Sequence, residues 1–366
     1  MAKLGTKRKE DGDRDHSSSF NCKKKQLSSS LMNQEDLNVI GVFYDTEVTA
    51  VTDLLKLLKN RKSRTSFPQV AQYFIDLTDE QLKFSLDLDN IPTLDEESAP
   101  AIEERELVEY LEEDSLNLEK FRLNEMKKWD YEKDALKLVL FSEWISSAKK
   151  FIELTRIMIT WSILSKMENH EPPKSKTVAN QDVDENIFSD IFTRFTEIFF
   201  LLPVTGRRKS VWMDDKIVGS INNTRYYEYI PRGAPNPVLL MFCEVKRFPV
   251  QESEDTDTWI SRKLPKTVLE QVGAELVAEC FSSAFLPNVL GVICMRTEVI
   301  FVYLTIASDH VKAIRNNEEI GKQRACIHYT EAFDIMKRED RKQISELLFW
   351  LGCVQKCNLQ RYYLKQ

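Results

Sequence analysis

Glu244 and Lys246 stand two positions apart where an apolar run, residues 238–243, gives out. The run is continuous, not alternating, which is the pattern of a strand covered on both faces. Strand side chains alternate, so Glu244 and Lys246 point to one face and Val245 to the other. A carboxylate and an ammonium are thereby set side by side at the end of a buried strand. A carboxylate can hold a hard divalent cation, and an ammonium can neutralise negative charge that builds during a reaction. A solvated charge pair at the rim of a core reads the same way, so the neighbouring elements have to decide between them.

Upstream, residues 224–230 read as a strand and Arg232-Gly-Ala-Pro-Asn-Pro237 as a turn. If that turn closes an antiparallel hairpin with Pro231 opposite Val238, Arg225 faces Glu244 and Asn223 faces Lys246. A slip of one residue would change this assignment. Downstream, Pro265 suits the first turn of a helix whose buried stripe is Val268, Leu269, Val272, Leu276 and Cys280. Gln271, Glu275 and Glu279 run beside that stripe at i, i+4 spacing. Residues 288–295 and 299–306 are apolar strands around Arg296-Thr-Glu298, read as a hairpin extending the sheet. Ahead of all these, residues 185–202 place Ile187, Phe188, Ile191, Phe192 and Phe195 on one wide face, a helix built to lie on a sheet.

Helix, strands ending in Glu-x-Lys, helix, strand: in this order residues 184–306 resemble the PD-(D/E)xK, or restriction-endonuclease-like, nuclease superfamily. The resemblance implies an α/β fold with a central mixed sheet flanked by helices. It also implies hydrolysis of phosphodiester bonds in DNA or RNA with Mg2+ or Mn2+. Glu244 would be a metal ligand, Lys246 the group that orients water or stabilises charge, and Gln271 a polar support from the following helix. Such hydrolysis takes two or more oxygen ligands on the metal. The family's first acid usually opens the preceding strand, but here that position reads Gly219-Ser-Ile-Asn222-Asn223-Thr224. Asparagine offers an oxygen without charge, so Asp214 or Asp215 is the replacement ligand, with Asp215 also counted among the catalytic groups. Glu197 either points into the site from the first helix as a further ligand or lies on that helix's polar side. Arg207-Arg208-Lys209 is the local basic run for nucleic acid. With its first acid altered, the chain is an active nuclease or a catalytically inactive nuclease-like domain that binds nucleic acid or a protein. A plain α/β interaction module with a coincidental Glu-Val-Lys is the third reading.

The rest of the chain bounds these readings. At 366 residues it has room for two domains, at about 100–200 residues each. A net charge of −7 gives no global basic field, so any nucleic-acid contact is local. Residues 1–30 are too polar to bury a core and read as a disordered basic tail. Lys7-Arg8-Lys9 and Lys23-Lys24-Lys25 within residues 7–25 are spaced like a bipartite nuclear import signal, with a cytoplasmic soluble tail as the alternative. Residues 31–170 read as a mainly helical region. Short helices are expected over 36–84, with a new cap at 78–81, then an acidic linker or solvated helix face over 85–119, then long helices over 118–166. The break at 170–184 separates this region from a nuclease-like domain, 184–366, closed by a helix over 337–364.

The most apolar helical run, residues 151–164, is short and contains Glu153 and Arg156, so no membrane association is expected. The seven cysteines form no C-x-x-C pairs and are expected as reduced thiols. His16, His170, His310 and His328 show no metal-ligand spacing, which points away from zinc. Neither G-x-x-x-x-G-K-[ST], G-x-G-x-x-G nor G-x-S-x-G occurs, so nucleotide use and a serine-nucleophile elbow have no motif behind them.

Overall fold

A computed structural model describes residues 26–28, 33–62, 69–86, 101–130, 133–168, 185–205, 209–213, 216–220, 224–228, 237–250, 258–316 and 318–355. In chain order the first elements are β1 (Gln26–Ser28), α1 (Gln34–Val39), β2 (Val42–Val48), α2 (Val51–Arg61) and α3 (Gln69–Gln81). Two long helices follow, α4 (Ala101–Met126) and α5 (Ala135–Glu168). Then come α6 (Glu185–Glu197), β3 (Pro203–Thr205), β4 (Lys209–Met213), β5 (Lys216–Ser220), β6 (Thr224–Tyr227) and β7 (Leu239–Lys246). The chain continues through α7 (Trp259–Lys263), α8 (Lys266–Glu279), β8 (Val289–Met295), β9 (Glu298–Thr305) and α9 (Ser308–Asn316). It closes with β10 (Ala325–Tyr329), β11 (Phe333–Asp334) and α10 (Arg338–Gln355).

The fold is α/β. Its centre is a mixed eight-stranded sheet in the order β2-β10-β9-β8-β7-β6-β3, with β11 pairing β9. β7 and β8 are parallel, which requires a crossover connection, and α7 and α8 provide it. Helices flank both faces. On one, Phe242, Ile293 and Val302 pack with Leu269, Val272 and Leu276 of α8. On the other, Cys243, Val292 and Phe301 share a core with residues of α2, α3, α5, α6 and α10. Coverage on both faces is why β7 is apolar without alternation until it reaches Glu244. A smaller sheet, β1-β5-β4, lies against α8.

The chain ahead of residue 170 is not packed apart from the chain after 184. Phe74 of α3 meets the rings of Phe200 and Phe349 at 5.1 and 6.4 Å, and Phe151 of α5 meets Phe195 of α6 at 5.4 Å. β2, where short helices were expected, is the sheet's edge strand and runs parallel to β10. It is reached through Gly41 at φ +67°, where an added Cβ would lie 2.7 Å from the carbonyl oxygen of Gln323. Residues 78–81 open no new helix but continue α3. Thr78 there donates to the Phe74 carbonyl at 2.7 Å and accepts from Trp144 Nε1 at 3.1 Å. Much of the acidic stretch belongs to α4, and the closing helix forms as α10. Gly352 lets α10 come down onto the backbone, since a Cβ there would stand 2.0 Å from the carbonyl oxygen of Phe199.

The β6–β7 register differs from the expected one. Arg225 pairs with Phe242, not Glu244: β6 ends at Tyr227, and its pairing with β7 shifts between Tyr226 and Tyr227. The described cysteines Cys243, Cys280, Cys294, Cys326 and Cys353 are free thiols. Among the described residues no helix is long and apolar enough to cross a membrane. The basic clusters of residues 7–25 lie outside the described residues.

Candidate functional site

β7 delivers Glu244 and Lys246 to the sheet face covered by α8, opposite Ile293 and Met295 of β8. The strand end is tied down by the backbone N–H of Arg296, which donates to the Lys246 carbonyl at 2.8 Å. Glu244 is buried, at 3% exposure, and Lys246 is partly exposed. Lys246 Nζ donates to Glu244 Oε1 at 2.7 Å and to Gln271 Oε1 at 3.1 Å. Gln271 Nε2 donates to Glu244 Oε1 at 2.6 Å and to Glu275 Oε1 at 3.2 Å. Only this amide orientation sets an oxygen against the ammonium and N–H groups against the two carboxylates.

Glu244 Oε1 therefore accepts two hydrogen bonds, while its buried Oε2 has no hydrogen-bond partner among the described residues. Burial pushes the Glu244 carboxyl above the usual range. Lys246, by charge and hydrogen bond, and Gln271 offset part of that rise, and the charge of Glu185 adds to it. Glu185 is the first residue of α6, so the acid which that helix brings within electrostatic range of Glu244 comes from its start. Glu197, at the other end of α6, is bound by Arg194 Nη1 at 2.8 and 2.9 Å and lines a groove with Ser142, Phe200 and Leu202.

The polar stripe of α8 is buried against the sheet and not turned to water. Glu275 is fully buried, and Glu279 is 1% exposed. Arg225 Nη2 donates to Glu279 Oε1 at 2.9 Å, and Ser282 Oγ donates to Glu279 Oε2 at 2.7 Å. Arg225 is thus drawn to the C-terminal end of α8, while Gln271 serves the Glu244 end.

The structure brings together Glu244, Lys246 and Gln271, joins Glu275 to them through Gln271, and sets Glu185 within electrostatic range of Glu244; the sequence had assigned neither glutamate to the site. Glu275 had a signal, its i+4 spacing from Gln271. Glu185 had none beyond its place at a helix start. Arg207, Arg208, Asp214, Asp215, Asn222 and Asn223 lie outside the described residues, and Lys209 opens β4. Among the described residues Glu244 Oε2 is an unbonded carboxylate oxygen of the kind a hard cation such as Mg2+ or Mn2+ takes, but Glu185 and Glu275 do not close on it as a three-ligand set. No protein-family model matches the chain, and no curated protein matches it.

Proposed function

We propose that this chain is a metal-dependent nuclease-like protein that hydrolyses phosphodiester bonds in DNA or RNA at Glu244 and Lys246. The observation that carries the reading is Glu244 Oε2, unbonded among the described residues and buried beside a lysine that Gln271 holds in place. A carboxylate kept dry and half-satisfied costs stability unless a cation or a reacting group completes it.

With β4 and β5 set aside in the smaller sheet and α7 in the crossover, the order α6, β3, β6, β7, α8, β8 supports a restriction-endonuclease-like core. β3, β6 and β7 form an antiparallel meander, and β8 joins β7 in parallel across α8. Glu244 Oε2 would hold Mg2+ or Mn2+, with either Asp214 or Asp215 as the further carboxylate. When bound, the ion polarises a phosphoryl oxygen and neutralises its charge. Lys246 orients the attacking water or meets the charge that develops on the phosphate. Gln271 positions Lys246, and Arg207, Arg208 and Lys209 meet the nucleic-acid backbone. The clusters in residues 7–25 would carry the protein to the nucleus.

A second reading, a domain that binds nucleic acid without cutting it, is favoured by one contact. The Lys246 ammonium sits 2.7 Å from Glu244 and already neutralises the carboxylate a metal would need. The deciding experiment incubates purified protein with single- and double-stranded DNA and RNA in Mg2+ or Mn2+, beside Glu244→Ala and Lys246→Ala. Cleavage by wild type that falls about 10²–10³-fold in each variant supports the nuclease. Binding that weakens with salt, without cleavage, supports the second reading. Cleavage that survives Glu244→Ala removes the assignment altogether.

A further inference from the structure

Asp45, Cys326 and His328 meet on the sheet face opposite Glu244, at the edge where β2 joins β10. Ile327 of β10 packs toward Gly273 of α8, so its neighbours Cys326 and His328 point to the other face. Asp45 arrives from β2 at an irregularity of the pairing. Ile327 is matched with Tyr44 and Tyr329 with Val48, leaving residues 45–47 to answer to His328 alone. One ligand atom from each of Asp45, Cys326 and His328 lies within 4.8 Å of the other two.

The hydrogen bonds around the imidazole are directional. Thr305 Oγ1 donates to the Cys326 carbonyl at 3.2 Å, so at 3.1 Å from His328 Nε2 it is the acceptor, and Nε2 carries a hydrogen. Nδ1 is aimed at Asp45 Oδ2, 2.9 Å away. The backbone N–H of Thr46 holds the other oxygen, Asp45 Oδ1, at 2.8 Å. At that distance the contact is a hydrogen bond carrying one proton, and a metal ion would take the proton's place with the two ligand atoms moved slightly apart.

We propose that Asp45, Cys326 and His328 form a zinc site, with Asp45 Oδ2, Cys326 Sγ and His328 Nδ1 as ligands and water in the fourth position. Sulfur, imidazole nitrogen and carboxylate oxygen together are a zinc donor set, and a thiolate selects against Mg2+. Metal-bound histidines characteristically donate their other N–H to an oxygen, the part Thr305 plays here. The His328 and Asp45 side chains are 24% and 31% exposed, which leaves water a way in. The bound ion would pin the edge strand β2 to β10 across 283 positions of sequence. This site is separate from the one proposed for phosphodiester chemistry, since it lies on the other face and uses softer donors. Histidine spacing alone pointed away from zinc because Cys326-x-His328 supplies two ligands and the third is remote in sequence.

The test uses the full chain, stripped with a chelator and titrated with Co2+ and then Zn2+. One Co2+ per chain should give a thiolate-to-cobalt charge-transfer band that Zn2+ erases and excess Mg2+ does not. Zn2+ should also raise the melting temperature. Cys326→Ser should abolish the band, and Glu244→Ala should keep it. Thr305→Val should weaken binding about 10–100-fold, as for other lost partners of a metal-bound histidine. His328→Gln and Asp45→Asn should weaken it further. Circular dichroism checks that each variant is folded, and should Cys326→Ser fail to fold, the band in His328→Gln decides. A wild type without the band, or a band unchanged in folded Cys326→Ser or His328→Gln, overturns the proposal.

Discussion

Gln271 donates from α8 to Glu244 at 2.6 Å, and that contact settles which end of its amide faces Lys246. A carboxamide is the one group of this length that satisfies both neighbours, because a leucine bonds neither and a glutamate repels Glu244 and Glu275. If Lys246 acts on water or phosphate, Gln271→Leu should lower kcat by up to about 100-fold with KM little changed, as for a misplaced catalytic group. Gln271→Glu should also displace the pH–rate profile, since a third carboxylate alters the titration of its neighbours. Steady-state kinetics across pH check both. A profile that stays put in Gln271→Glu would reduce Gln271 to a packing residue.

Arg225 and Glu279 form an ion pair with both side chains at 2% exposure or less. Breaking a buried pair from one side strands the other charge, at a cost of about 3–5 kcal/mol, whereas replacing both by apolar groups is often neutral. Arg225→Met should therefore destabilise the protein strongly in urea unfolding, and adding Glu279→Leu should restore most of the loss. Equal stability of the single and double variants would mean that Glu279 is not stranded when Arg225 is removed.

What could be read from the sequence was what local periodicity encodes. The burial of β7, the shared face of Glu244 and Lys246, and the i, i+4 stripe of α8 follow from repeats of two and of about 3.6 residues. The β6–β7 register was not legible, because the pairing shifts between Tyr226 and Tyr227 and no residue pattern marks such a shift. β2 escaped because an edge strand exposes its second half, and Asp45, Thr46 and Glu47 break the apolar pattern there. Its partner β10 is distant and parallel, so no turn announces the pair. The same remoteness hid Asp45 from Cys326 and His328, and Glu185 from Glu244.

If Glu244 holds a metal as proposed, its burial sets that role against stability, and its titration exposes the conflict. Burial, helped by Glu185, raises the carboxyl above its ordinary value of 4.5 in spite of Lys246 and Gln271. The folded protein therefore holds that proton more tightly than the unfolded chain does. The resulting stabilisation is full below the unfolded value and is lost as pH rises through the raised folded value. Gln stands in for the protonated acid at every pH. Glu244→Gln should thus match wild type in acid and become progressively more stable than wild type toward neutral pH, reaching a plateau above the folded pKa. Mg2+ should then narrow the gap from the wild-type side alone, since a ligand stabilises only the fold that binds it. Melting temperatures of both proteins, with and without Mg2+ across pH, measure the whole pattern. If Glu244→Gln melts below wild type at neutral pH without metal, the Lys246 ion pair outweighs burial, and Glu244 is a structural partner of Lys246 that awaits no cation.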